Sequence, residues 1–194
     1  MLKPGMRVGD WVVVRALAEG GMGSVFEAHN RKSERIRAAL KVIKPHGPDA
    51  EERFIREAEV LYSLRDPSIV RVSGFGEDDE LGVLWLAMEL VEGTGFESRI
   101  TGEPADPAWA LSVFTRVARG LAHAHSEGIY HRDIKPANLM IWSKDGQPVI
   151  VDFGIASTVN QTKLTKTGMV PGTMAYLPPE LFSGAEPSPT MTRR

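Results

Sequence analysis

The chain has 194 residues, 42% hydrophobic and 25% charged, a soluble globular composition that suits one large domain or two small lobes sharing a cleft. A formal net charge of -2 with no basic stripe speaks against broad electrostatic binding of nucleic acid, and no nucleic-acid partner is expected. Without any Cys there is no disulfide framework, thiolate nucleophile or Cys-based zinc site, which is compatible with a reducing compartment.

In chain order, the opening Met1-Leu2-Lys3-Pro4-Gly5 lacks the apolar run of a signal peptide. The most apolar stretch, 81–91, contains Glu89 and is too short for a membrane-spanning helix, so a cytoplasmic chain without a membrane segment is expected. Residues 11–14 and 38–43 are apolar and rich in Val and Ile, and the Gly-rich Glu19-Gly20-Gly21-Met22-Gly23-Ser24 lies between them; this predicts strand, turn, strand and a further strand. Phe54, Ala58, Leu61 and Leu64 recur at helical spacing, which predicts an amphipathic helix over 51–64, stopped by Asp66-Pro67. Residues 69–72 and 83–89 read as strands, and 92–107 as a turn-rich stretch. Ala110, Val113, Phe114, Val117, Leu121 and Ala124 share one face of a helix predicted over 109–125, with Gly128 as its stop. The runs 139–142 and 149–151 flank Lys144-Asp145-Gly146, a hairpin signal. The small, polar 183–194 has nothing to bury and is expected to be disordered.

The chemistry-bearing residues sit at the joints of this pattern. Gly20-Gly21-Met22-Gly23 lets backbone N–H groups approach phosphate oxygens, although a plain Gly-rich hairpin has the same appearance. A dinucleotide loop would need a helix next, whereas Ser24-Val25-Phe26-Glu27-Ala28 reads as strand. Lys41 lies among apolar neighbours in Ala38-Ala39-Leu40-Lys41-Val42-Ile43. It is either an edge-strand lysine reaching into solvent or a buried ammonium that needs an acid, and Glu57 on the following helix is the natural candidate. His131-Arg132-Asp133-Ile134-Lys135-Pro136-Ala137-Asn138 brings a carboxylate, an ammonium and an amide onto one loop, able to take a hydroxyl proton, steady a phosphate and bind a divalent ion. Asp152-Phe153-Gly154 adds a second acid suited to Mg²⁺.

Together and in this order, these motifs resemble the protein kinase family, specifically the bacterial serine/threonine kinases that share the eukaryotic catalytic fold, from about Val8 to Phe182. The resemblance implies an α+β, two-lobed protein-kinase-like fold. Residues 8–91 would form an ATP-binding N-lobe with an antiparallel sheet and one helix, and 92–182 a mainly helical, incomplete C-lobe. The activity implied is transfer of the γ-phosphoryl group of ATP, with Mg²⁺, to Ser or Thr of protein substrates. Gly20, Gly21 and Gly23 would cover the phosphates, Lys41 would contact the α/β-phosphates and pair with Glu57, Asp133 would be the base, and Lys135 would support the transferred group. Asn138 and Asp152 would hold the metal. Val25, Ala39 and Met140 would sandwich adenine, Met88 would stand behind it, and Glu89 and Val91 would offer it backbone hydrogen bonds. Lys135 and Thr173 resemble the serine/threonine branch and a protein-substrate platform, against a small-molecule phosphotransferase. Arg132 beside the base, with Thr165 and Thr167, resembles a switch set by activation-loop phosphorylation, by self-association in trans.

Ala18 stands where the family's first loop glycine is usual, Pro178 precedes Pro179-Glu180 in place of Ala, and Ser68 takes a position often held by His. After Glu92 only Thr94 offers a ribose contact, which stays open. In the family, Glu180 is followed by helices that anchor the catalytic loop, and the sequence after Phe182 holds none of them. A marginally stable chain of weak activity, or a kinase-like nucleotide-binding module, is therefore the alternative expectation.

Overall fold

A computed structural model describes residues 2–20, 23–47, 49–100, 105–131 and 133–153. They fold as two compact units, 2–63 with 71–91, and 64–70 with 92–153.

The first unit is a six-stranded antiparallel sheet and one helix. Its strands are β1 (Arg7–Val8), β2 (Trp11–Gly20), β3 (Gly23–Asn30), β4 (Ser33–Ile43), β5 (Val72–Asp78) and β6 (Val83–Met88), in the order β1-β2-β3-β4-β6-β5. Alternation sets its two faces. Phe26, Ala28, Ala38, Leu40 and Val42 enter a core closed by Val8, Trp11, Val13, Val83 and Ala87. The helix α1 (Ala50–Ser63) buries Phe54, Ala58 and Leu61, as its periodicity predicts.

One expectation changes here. Of 69–72, Ile69 forms only an isolated bridge to Ile150 and the strand begins at Val72, running through Gly74 and Gly76. Gly76 makes room for the Trp85 indole, since a Cβ there would stand 2.8 Å from its ring. The backbone of 68–70 is taken elsewhere: Val70 N–H donates to the Ile150 carbonyl and Ile150 N–H to that of Ser68, both inside the second unit.

The second unit holds β7 (Gly93–Gly95), α2 (Phe96–Ile100), α3 (Pro107–Ser126), β8 (Leu139–Trp142) and β9 (Pro148–Ile150), with a three-stranded sheet ordered β7-β8-β9. Asp106 caps α3 by accepting from Ala108 and Trp109 N–H, Pro107 opens it, and Gly128 follows its end at φ +78°. The stretch read as turns thus contains a strand and a short helix. Gly93 permits the strand, because a Cβ there would fall 2.1 Å from the Ile141 carbonyl oxygen. Phe114, expected on the buried face of α3, is 55% exposed and meets Phe96 edge-on, while Val113, Val117, Gly120, Leu121 and Ala124 are buried.

Candidate functional site

In the first unit, register brings the residues assigned to the nucleotide onto one sheet face. Val25 lies opposite Lys41, Lys41 opposite Leu86, and Ala39 opposite both Glu27 and Met88. Directly paired residues project to the same side, so Val25, Ala39, Lys41 and Met88 share the face opposite to that of Leu40 and Val42. Lys41 is only 3% exposed. Lys41 and Glu57, the latter on α1, are each engaged by a partner, and a buried ammonium needs one. Gly20 ends β2 opposite Gly23, and Gly23 has φ +131°. Glu89 gives its N–H to the Arg71 carbonyl at 2.8 Å, so the group it can offer a base is its carbonyl oxygen. Val91 closes this unit.

In the second unit, the residues after α3 form a tight polar knot. Lys135 Nζ lies 2.7 Å from Asp133 Oδ2. A 3-10 turn over Pro136–Asn138 turns Asn138 back on the same residue: its Nδ2 donates to the Asp133 carbonyl at 2.7 Å and to Oδ2 at 3.1 Å. His131, completely buried, holds the knot from behind. Its Nε2 lies 3.0 Å from the Val151 carbonyl, which only accepts, so that nitrogen carries the proton and Nδ1 accepts from Asp133 N–H at 3.4 Å. The His131 ring packs on Phe153 with centroids 4.7 Å apart.

Asp152 has φ +62°, a left-handed conformation that Asp tolerates better than most residues. Val151 N–H donates to the Asn138 carbonyl at 2.9 Å, linking the two expected metal ligands through backbone. With Nδ2 committed to Asp133, Asn138 keeps its amide oxygen for a metal, and Asp152 supplies a carboxylate. Two hard oxygens fit Mg²⁺, which usually keeps several waters and takes one or two protein carboxylates. Among the described residues there is no cluster of three or more His, Cys, Asp or Glu suited to a metal. Met140 lies on β8 opposite Gly95 and Val149. Gly21, Arg132, Thr165, Thr167 and Thr173 lie outside the described residues.

Two residues of this neighbourhood were not singled out from the sequence for the roles they have here. His131 could have been suspected from its place in the His-Arg-Asp run. Glu27 gave less signal, since a Glu between Phe26 and Ala28 reads as solvent-facing in an alternating strand. Instead it is buried and ion-paired to Arg15 and Arg37 on the adjoining strands.

The family model described as "Protein kinase domain" matches residues 11–191. The serine/threonine-protein kinase PknH of Mycobacterium bovis is 38% identical over 94% of this chain and 30% of its own length. PknD of Mycobacterium tuberculosis is 36% identical over 94% of this chain and 27% of its own length. The chain therefore spans about 30% of the length of these curated relatives. The crystal structure of the Mycobacterium tuberculosis PknI kinase domain covers all of this chain with 73% of its own, at a TM-score of 0.76 and 30% identity. Rad53 in complex with AMP-PNP covers 90% of this chain with 43% of its own, at a TM-score of 0.72 and 26% identity. The fold is accordingly that of protein kinase domains, and the chain belongs to the protein kinase domain family.

Proposed function

We propose that this chain is the catalytic part of an ATP-dependent protein serine/threonine kinase. The observation that carries the reading is Asp133 held by Lys135 and Asn138 on one short loop. Both described donors to the carboxylate fall on Oδ2, which leaves Oδ1 to accept a hydroxyl proton. In the proposed reaction a substrate Ser or Thr oxygen forms a bond to the γ-phosphorus and gives its proton to Asp133. The bond from that phosphorus to the β–γ bridging oxygen breaks, and its electron pair leaves with ADP. Lys135 steadies the transferred group, Lys41, paired with Glu57, holds the α/β-phosphates, and Gly20, Gly21 and Gly23 cover them. Val25, Ala39, Met88, Met140, the Glu89 carbonyl and Val91 take the base. Asn138 and Asp152 would hold magnesium, which when bound neutralises charge on the triphosphate.

In this reading residues 8–91 form the nucleotide-binding lobe, except that 64–70 belong to the other unit, and 92–182 carry the catalytic loop and activation segment. Thr165 and Thr167 are targets for a second copy of the kinase, Thr173 belongs to the protein-substrate platform, and the setting is the cytoplasm, where ATP and magnesium are supplied. No helix among the described residues is long and apolar enough to cross a membrane. Asp133→Asn keeps the shape of the side chain and removes the base. It should lower phosphoryl transfer to a protein substrate by roughly a hundredfold or more while ATP still binds. Turnover equal to that of the unaltered chain would sink the assignment.

A further inference from the structure

Glu27 lies on the same sheet face as Val25, Ala39 and Lys41, directly opposite Ala39 and Arg15. Its side chain is 6% exposed, yet both partners reach in from solvent: Arg15 Nη2 is 2.8 Å from Oε2 with its side chain 63% exposed, and Arg37, 47% exposed, pairs with Oε1. Burying a carboxylate is unfavourable unless it is paired. A hydrogen bond from Arg37 and the charges of both guanidiniums hold the acid below its ordinary pKa, and Arg15 meets Oε2 as an ion pair, since that oxygen has no hydrogen-bond partner among the described residues.

The placement matters more than the pairing. From Val14 to Gly20 every residue of β2 is exposed, so this outer run has no side chain in the core. Its ladder to β3 is also irregular on both sides of the Arg15–Glu27 pair, with register shifts between Val13 and Arg15 and between Ala16 and Ala18. At the far end of that exposed run, where Gly20 still pairs with Gly23, begins the glycine loop.

We infer that Glu27 is a positioning residue for the nucleotide: through Arg15 it tethers the outer run of β2, and with it the glycine loop, to β3 and β4. This rests on the reading of the chain as an ATP-dependent kinase. Glu27 itself contacts no phosphate in this scheme. Its effect reaches the ligand through the loop, and so falls on the phosphates and not on the base.

The test is calorimetric binding of Mg-ATP and of adenosine to the full chain, its Glu27→Gln and Arg15→Met variants, and the double variant. Each single change should weaken Mg-ATP by roughly 3- to 10-fold, with the double variant no worse than the weaker single, as for two ends of one interaction. Adenosine affinity should stay unchanged, which a general loosening of the sheet would not allow. Unchanged Mg-ATP affinity, or an equal loss for both ligands, overturns the tether. Should Glu27→Gln fail to fold, Arg15→Met on an exposed side chain decides alone. An unaltered chain that binds neither ligand would instead overturn the kinase reading, and the tether with it.

Discussion

Gly23 sits where backbone strain and packing make the same demand. Its φ of +131° is open to glycine and strained for other residues, and a Cβ there would stand 2.6 Å from the Val42 carbonyl oxygen, a backbone atom in the strand that carries Lys41. Gly23→Ala should therefore cost about 1–3 kcal/mol of stability and displace the start of β3, weakening Mg-ATP. Gly20 is the control: among the described residues outside its own chain neighbours, the nearest atom to a Cβ there is the Gly23 carbonyl oxygen at 3.9 Å, so Gly20→Ala should unfold close to the unaltered chain. Equal denaturation midpoints for both variants would show that the clash at Gly23 relaxes freely. Glu27 makes a prediction about pH. A hydrogen bond from Arg37 holds its carboxyl below the ordinary 4.5, against the opposing effect of burial and with help from the charges of Arg37 and Arg15. A folded-state value below the unfolded one contributes stability above the unfolded value and loses it as pH falls through the folded one. Glu27→Gln should be less stable than the unaltered chain at neutral pH, and the difference should narrow on acidification below 4.5. Urea unfolding across that range with a constant difference would mean that the pair contributes nothing through its charge.

Among elements, those written in local signals were legible. The helix α3 follows from an apolar period and a Gly beyond its end, and the structure adds Pro107 at its start and the Asp106 cap. Asp106→Ala should cost about 0.5–2 kcal/mol, and a change in midpoint too small to measure would mean that other groups satisfy the first turn. The hairpin of β8 and β9 is likewise local, with Gly146 at φ +69° in its turn. β5 and β7 were not legible, because what stabilises them is remote in sequence. Gly74 and Gly76 are poor strand formers, and Gly76 is required in β5 because the Trp85 indole on β6 occupies the space of a side chain there. Gly93 and Gly95 read as turn residues, and pair as a strand because β8 is present to receive them. Phe114 fitted the α3 period, and only the position of Phe96 on α2 shows that its ring is met from the side and left half in water. The candidate site divides in the same way. The motifs name Asp133, Lys135 and Asn138 as residue types, but the 3-10 turn that folds Asn138 onto Asp133 is tertiary information. So is the Nε2–H tautomer of His131, which depends on a carbonyl contributed by Val151.

Across the whole molecule, the polar groups assigned to ATP divide by unit. Gly20, Gly23 and Lys41 belong to the sheet-and-helix unit, and Asp133, Lys135, Asn138 and Asp152 to the other. The second set carries the oxygens suited to a divalent cation, so magnesium should act on affinity chiefly through that unit, and Asp152 gives a prediction of sign. Its carboxylate attracts Mg-ATP through the metal but repels the free triphosphate, which carries negative charge and no cation between. Asp152→Asn is the cleaner variant, because Asn tolerates the left-handed conformation that Asp152 holds at φ +62°, whereas most side chains would add strain. In the unaltered chain magnesium should tighten ATP binding. In Asp152→Asn that gain should shrink by roughly tenfold or more, consistent with losing a charged ligand, while magnesium-free ATP binds as well as before or better. Adenosine, which lacks phosphate, should bind both forms alike. Calorimetry with and without magnesium separates the outcomes: equal losses for all three ligands would mean that Asp152 supports the fold of its unit and not the metal, and an undiminished magnesium gain would remove it from the metal site altogether.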